Sequence, residues 1–174
     1  MNFKQHFTEK LQQIEKDQYF DQFEIDGLKY GVFATRNPFY LHKGFVNSKI
    51  EQTEEPDSWD FQFVLDDDEY DSFDVTRTTG DAGYKAIKVF KIVERLFKDF
   101  VEEINPIEVT FSANSDEIKR AGLYDRLATK AEKITKGKYI YIPHPNISDW
   151  IDVDISIEFV SRGHTYVIVR RDEL

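Results

Sequence analysis

Apolar residues recur at two different periods along this chain, and the change of period divides it. Phe3, Phe7, Leu11 and Ile14 fall at helical spacing and predict an amphipathic helix over residues 3–15. The run YFDQFEIDGLKYGVFATR then holds two strand-like stretches around Asp26-Gly27, a hairpin signal. Residues 36–46 carry Asn-Pro, Gly44 and the aromatics Phe39, Tyr40 and Phe45, which suit a short strand or an apolar loop equally. Residues 47–58 are polar, acidic and proline-bearing, and predict an exposed loop. Trp59, Phe61, Phe63 and Leu65 then alternate with Asp60 and Gln62, the pattern of a half-buried strand. DDDEYD (66–71) turns the chain, and SFDVTR predicts a returning strand with Phe73 and Val75 inward.

From Gly83 to Ile104 the period becomes 3.6. Ile87, Phe90, Val93, Phe97, Phe100, Val101 and Ile104 predict one apolar helical stripe. Asn105-Pro106 ends it, because a residue before proline avoids the α region. Ile107, Val109 and Phe111 alternate with Glu108, Thr110 and Ser112, a further strand. A second helix, introduced by cap residues Asn114 to Asp116, runs to about Lys133 with Leu123, Leu127, Ala131 and Ile134 on its face. Gly137 stops it, and KYIYIP, residues 153–159 and Thr165–Arg170 complete the strands, with a turn at residues 161–163. Strands dominate the first half, and helices lie between strands in the second. The expected fold is α+β, a single domain over 1–174, with one mixed, largely antiparallel sheet and helices packed on it.

Composition narrows the chemistry. A net charge of −10 argues against a nucleic-acid binder, whose phosphate contacts need a basic face, and favours a basic protein partner or simple solubility. The absence of cysteine excludes disulfides and thiolate chemistry, and suits the cytoplasm. No run of about 18 apolar residues predicts a membrane span, and MNFKQHFTEKLQQIEKD lacks the apolar core of an export signal. The closing RDEL, which looks like an ER-retention address, is therefore expected to go unread. His6, His42, His144 and His164 are scattered without metal-ligand spacing, and DDDEYD lacks the EF-hand pattern, so no metal site is expected.

One segment invites a ligand. RTTGDAGYKA places R-x-x-G-x-A between a predicted strand and a predicted helix. Small residues there let backbone approach an anion, and the N–H groups opening a helix point at it. A plain capping turn would carry the same residues, with Asp81 as an ordinary first-turn acid. The segment resembles the pyrophosphate loop of the GNAT acyltransferases, written Q/R-x-x-G-x-G/A. Downstream, IEVTFSANSDEIKRAGLYDRLATKAEKITKGKYIYI is similar to that family's strand, helix and strand carrying Asn, Ala, Tyr and Gly-aromatic, at Asn114, Ala121, Tyr124 and Gly137/Tyr139. The resemblance covers residues 59–142 and implies a GNAT-like fold whose strands flanking 77–82 splay to admit the pantetheine arm of acetyl-CoA. It implies cofactor contacts from Arg77, Thr79, Gly80, Asp81, Ala82 and Asn114. It also implies Tyr124 as the acid that protonates the departing thiolate, and Asp74 as the position for a base.

The spacing departs from the family, with Asn114 far ahead of Tyr124 and Gly137 late, and no pair of helices separates the first two strands. Tyr124 would equally serve as a helix-face aromatic packed on the sheet. SANSDEIKRAGLYDRLA, through Arg120, Tyr124 and Arg126, also resembles a segment of small proteins of tailed bacteriophages. That resemblance implies a phage or prophage accessory protein without catalysis, acting in the bacterial cytoplasm on a host protein through acidic surfaces such as 51–57 and 66–71. The alternative is an N-acyltransferase using acetyl-CoA.

Overall fold

The computed structural model describes residues 11–25, 27–38, 40–42, 57–66, 83–114, 118–143 and 163–174. The expected strands 72–77 and 153–159, the loop 77–82 and residues 3–10 of the expected first helix lie outside them. Within the described residues the chain forms β1 (Gln12–Glu15), β2 (Gln18–Ile25), β3 (Leu28–Arg36), β4 (Ser58–Asp66), α1 (Gly83–Ile104), β5 (Glu108–Asn114), α2 (Ile118–Ile134), β6 (Tyr139–Ile142) and β7 (Gly163–Arg170). The seven strands make one sheet in the order β1-β2-β3-β4-β5-β7-β6. Every neighbouring pair is antiparallel except β4 and β5, so the sheet is mixed and the architecture α+β. Among the described residues no helix is long and apolar enough to cross a membrane.

The hairpin at residues 26–27 forms as expected: β2 and β3 pair over their whole length, and Gly27 takes φ +82°, where a side chain would be strained. The helix over 3–15 is corrected where it can be compared. Residues 12–15 are strand β1, with Gln12 opposite Phe20 and Gln13 opposite Tyr19. Leu11 reaches the core but Ile14 is 54% exposed, so one apolar anchor remains and the backbone hydrogen bonds of the sheet edge decide the local structure.

Helix α1 has the expected bounds, but its buried stripe is turned. Val89, Val93, Leu96, Phe97, Phe100 and Val101 are buried, whereas Ile87 is 56% exposed and Phe90 and Ile104 only partly covered. Asn105, at φ +56°, closes the helix through its N–H to the Val101 carbonyl, ahead of Pro106. Helix α2 ends as expected at Gly137, at φ +83°, whose N–H bonds the Glu132 carbonyl. Both helices bury their apolar faces in the same core as Trp59, Phe61, Phe63, Val109, Phe111 and Ile168, so they cover one face of the sheet. The contacts Trp59–Phe100 (5.6 Å) and Phe61–Phe97 (5.5 Å) show α1 running antiparallel to β4. Its first turn therefore lies toward the C-terminal ends of β4 and β5.

The expected half-buried β4 is also corrected. Trp59, Phe61 and Phe63 face the helices, and on the other face Ser58 and Asp60 are buried as well. Residues 40–42 account for part of that cover, because Leu41 packs with Val167 and Val169 of β7.

One carboxylate sits on the helix-covered face. Asp21 is 5% exposed, and burial raises its pKa against the opposing effects of the Gln22 N–H and the Arg95 charge. A carboxyl whose folded pKa is raised costs nothing below its unfolded pKa. The cost grows as pH rises through that value and is complete above the folded one. Asp21→Asn, which keeps the acceptor for Gln22, should raise the urea midpoint at neutral pH, and the gain should vanish below the ordinary aspartate range. An equal gain at all pH values would contradict the assignment.

Candidate functional site

The parallel pair β4–β5 is the exception in this sheet, and it is joined only at one end. Ser58 pairs with Glu108, Trp59 with Val109 and Asp60 with Thr110. β4 continues to Asp66 along β3, and β5 continues to Asn114 along β7, without further pairing to each other. The two strands thus form a fork, closed at their N-terminal ends and open toward the first turns of both helices.

Side chains lock the closed end. Glu108 is fully buried and accepts four hydrogen bonds. Its Oε1 takes Ser58 Oγ (2.6 Å) and the Leu41 N–H (2.9 Å); its Oε2 takes the His42 N–H (2.6 Å) and His42 Nδ1 (2.7 Å). One pair farther along, Thr110 Oγ1 donates to Asp60 Oδ1 at 3.0 Å, and Gln62 Nε2 donates to the other Asp60 oxygen. The Asn37 amide bridges both rungs, donating to Ser58 Oγ (3.2 Å) and Thr110 Oγ1 (3.1 Å). A carboxylate has about four acceptor positions, so Glu108 is saturated, which is what permits its burial.

Ser58, Glu108 and His42 are residue types of a nucleophilic triad, but their order is wrong. The serine proton goes to the carboxylate rather than to an imidazole, so nothing activates the hydroxyl. The cluster is a clasp. It also pins residues 40–42, where Tyr40 Oη accepts the Asp57 N–H at 2.8 Å and its ring meets His42 edge-on at 5.5 Å.

The open end holds Tyr124. It is fully buried, and its Oη accepts the Phe63 backbone N–H at 3.1 Å. Its ring stacks on Phe111 of β5 and meets Phe63 of β4 edge-on, each at 5.5 Å between centroids. Helix α2 directs the ring there because Ala121, Leu127, Ala128 and Ala131 seat that face against the sheet. Small residues let the helix approach closely, and the tyrosine fills the space where the strands part.

The sequence-predicted residues divide into three groups. Tyr124 stands in the fork. Asn114 is the last residue of β5, opposite Gly163 of β7, at the fork's open side. Asp74, Arg77, Thr79, Gly80, Asp81 and Ala82 lie outside the described residues. No group of three His, Asp or Glu is placed to hold a metal among the described residues. Asn37, His42, Ser58, Asp60, Glu108 and Thr110 were not singled out from sequence. The alternation placed Glu108 and Thr110 on one strand face, but their burial follows from β7, which sets Val169 and Val167 beside them. No family model, no curated protein and no solved structure matches this chain.

Glu108→Ala should cost about 3–5 kcal/mol, the loss seen when one partner of a buried charged network is removed. Glu108→Gln, which keeps one acceptor oxygen, should fall between the two. Urea unfolding at unchanged m-value reads both, and an alanine loss under about 1 kcal/mol would contradict the clasp.

Proposed function

We propose that the chain is a GNAT-like protein that takes the pantetheine arm of an acyl-CoA into the fork between β4 and β5 and transfers the acyl group to an amine. The parting of the one parallel pair carries this reading. Beyond the third residue pair the facing ladder groups of β4 and β5 do not pair with each other among the described residues, and an extended ligand bearing amides can meet them. The position of α1 supports it too. Its first turn lies toward the open end, where the dipole and unpaired N–H groups of a helix favour a pyrophosphate. Residues Arg77, Thr79, Gly80, Asp81 and Ala82 precede that turn in the chain, and Asn114 ends the strand on the other side of the fork.

In this reading the amine nitrogen attacks the thioester carbonyl, a C–N bond forms and the C–S bond breaks. The departing thiolate takes the phenol proton of Tyr124. The bond from the Phe63 N–H engages a lone pair of the hydroxyl and not its proton, and is compatible with that role. Asp74 would take the proton that the attacking amine gives up.

A second reading has its own observation. Tyr124 is buried and its hydroxyl already engaged, as suits a scaffold that performs no chemistry. The chain would then be a phage or prophage accessory protein that binds a basic host protein through acidic surfaces, consistent with its net charge of −10.

Isothermal titration with acetyl-CoA separates the two. The first reading expects micromolar to sub-millimolar binding by the wild type and its loss in Gly80→Trp, which fills the anion loop. No heat at millimolar acetyl-CoA, together with stoichiometric capture of a basic host protein, would replace it with the second.

A further inference from the structure

β3 pairs with β4 along nearly its whole length, from Arg36 opposite Trp59 to Lys29 opposite Asp66. On its other side β4 is paired with β5 only through Asp60. The Phe63 N–H lies beyond that limit, and a side-chain oxygen from a helix, Tyr124 Oη, takes it at 3.1 Å. In a continued sheet a backbone carbonyl would stand there. Tyr124 therefore supplies, from within the chain, the acceptor that the missing strand contact would have given.

From this we infer that the Tyr124 hydroxyl is a stand-in for a ligand carbonyl: an amide-bearing arm entering the fork must displace it from the Phe63 N–H. The inference rests on the acyl-CoA reading and goes beyond it, because it assigns Tyr124 a competitive role in the unliganded protein. The exchange swaps one hydrogen bond for another of similar strength, so the arm gains little from this contact while the hydroxyl is present. Without the hydroxyl, the Phe63 N–H loses the acceptor it has in the unliganded protein, a loss that an arriving carbonyl restores. The oxygen is fixed to its ring, so displacing it in the wild type also shifts the ring against Phe63 and Phe111, a further cost that removing the hydroxyl spares.

Tyr124→Phe keeps that packing and removes the oxygen alone, so the fold is retained with a lowered urea midpoint. Titration calorimetry should then give an acetyl-CoA Kd about tenfold tighter than the wild type. The nucleotide half of CoA, which lacks the pantetheine arm, should bind both proteins equally. Equal or weaker acetyl-CoA binding by the variant, with the wild type binding, would overturn the stand-in role and leave the acyl-CoA reading in place. A gain shared by the nucleotide half would overturn it as well, since the effect would not lie at the arm. Absence of acetyl-CoA binding in both proteins would overturn the inference and the reading together.

Discussion

One buried carboxylate fixes the geometry on which the rest of this sheet depends. Glu108 opens β5, stands opposite Ser58 of β4, and receives Ser58, Leu41 and His42 through four hydrogen bonds. Parallel strands have no tight turn to hold them in register, and here only three residue pairs join the two. The side chains supply what the short ladder lacks: Glu108 with Ser58, Thr110 with Asp60, and Asn37 across both. A network buried in low dielectric and fully satisfied is rigid, so the closed end of the fork is a fixed point. Beyond it β4 follows β3 and β5 follows β7, and the strands separate.

Opposite faces of the same strands carry different loads. Toward the helices, Phe61, Phe97, Phe100 and Phe111 form an aromatic core with edge-on and tilted contacts that holds α1 to the fork. Tyr124 continues that cluster into the open end, where its hydroxyl accepts the Phe63 N–H. A hydroxyl in this place satisfies a backbone donor without making a permanent strand contact. In the proposed reading, this firm base and exchangeable acceptor together receive the extended polar arm.

How much of this was legible depended on whether the deciding contacts were local. Helix α1, its stop at Asn105-Pro106, the glycine stop of α2 and the Gly27 hairpin all follow from residues within a few positions of one another. The face of α1 was less legible, because Ile87 and Val89 both fit a helical period and only the packing against β4 and β5 selects Val89. β1 was misread for the complementary reason: its backbone is satisfied by β2, a contact the local spacing of Leu11 and Ile14 does not reveal. The clasp was hidden more deeply. Asn37, His42, Ser58 and Glu108 are far apart in the chain and carry no motif, and their burial is a property of strand order. Tyr124 was visible as a residue on a helix beside the sheet, but its bond to Phe63 required the parting of β4 from β5.

In the proposed reading the fork opens at Phe63 and an acyl-CoA arm enters there. The most direct test follows the backbone amide of Phe63 by nuclear magnetic resonance in isotope-labelled protein as acetyl-CoA is added. The account predicts that this resonance and those of Asn114 and Tyr124 shift together and saturate, while the amides of Leu41 and His42, held by Glu108, stay in place. Saturable shifts confined to Leu41 and His42, or none anywhere at millimolar acetyl-CoA, would contradict it.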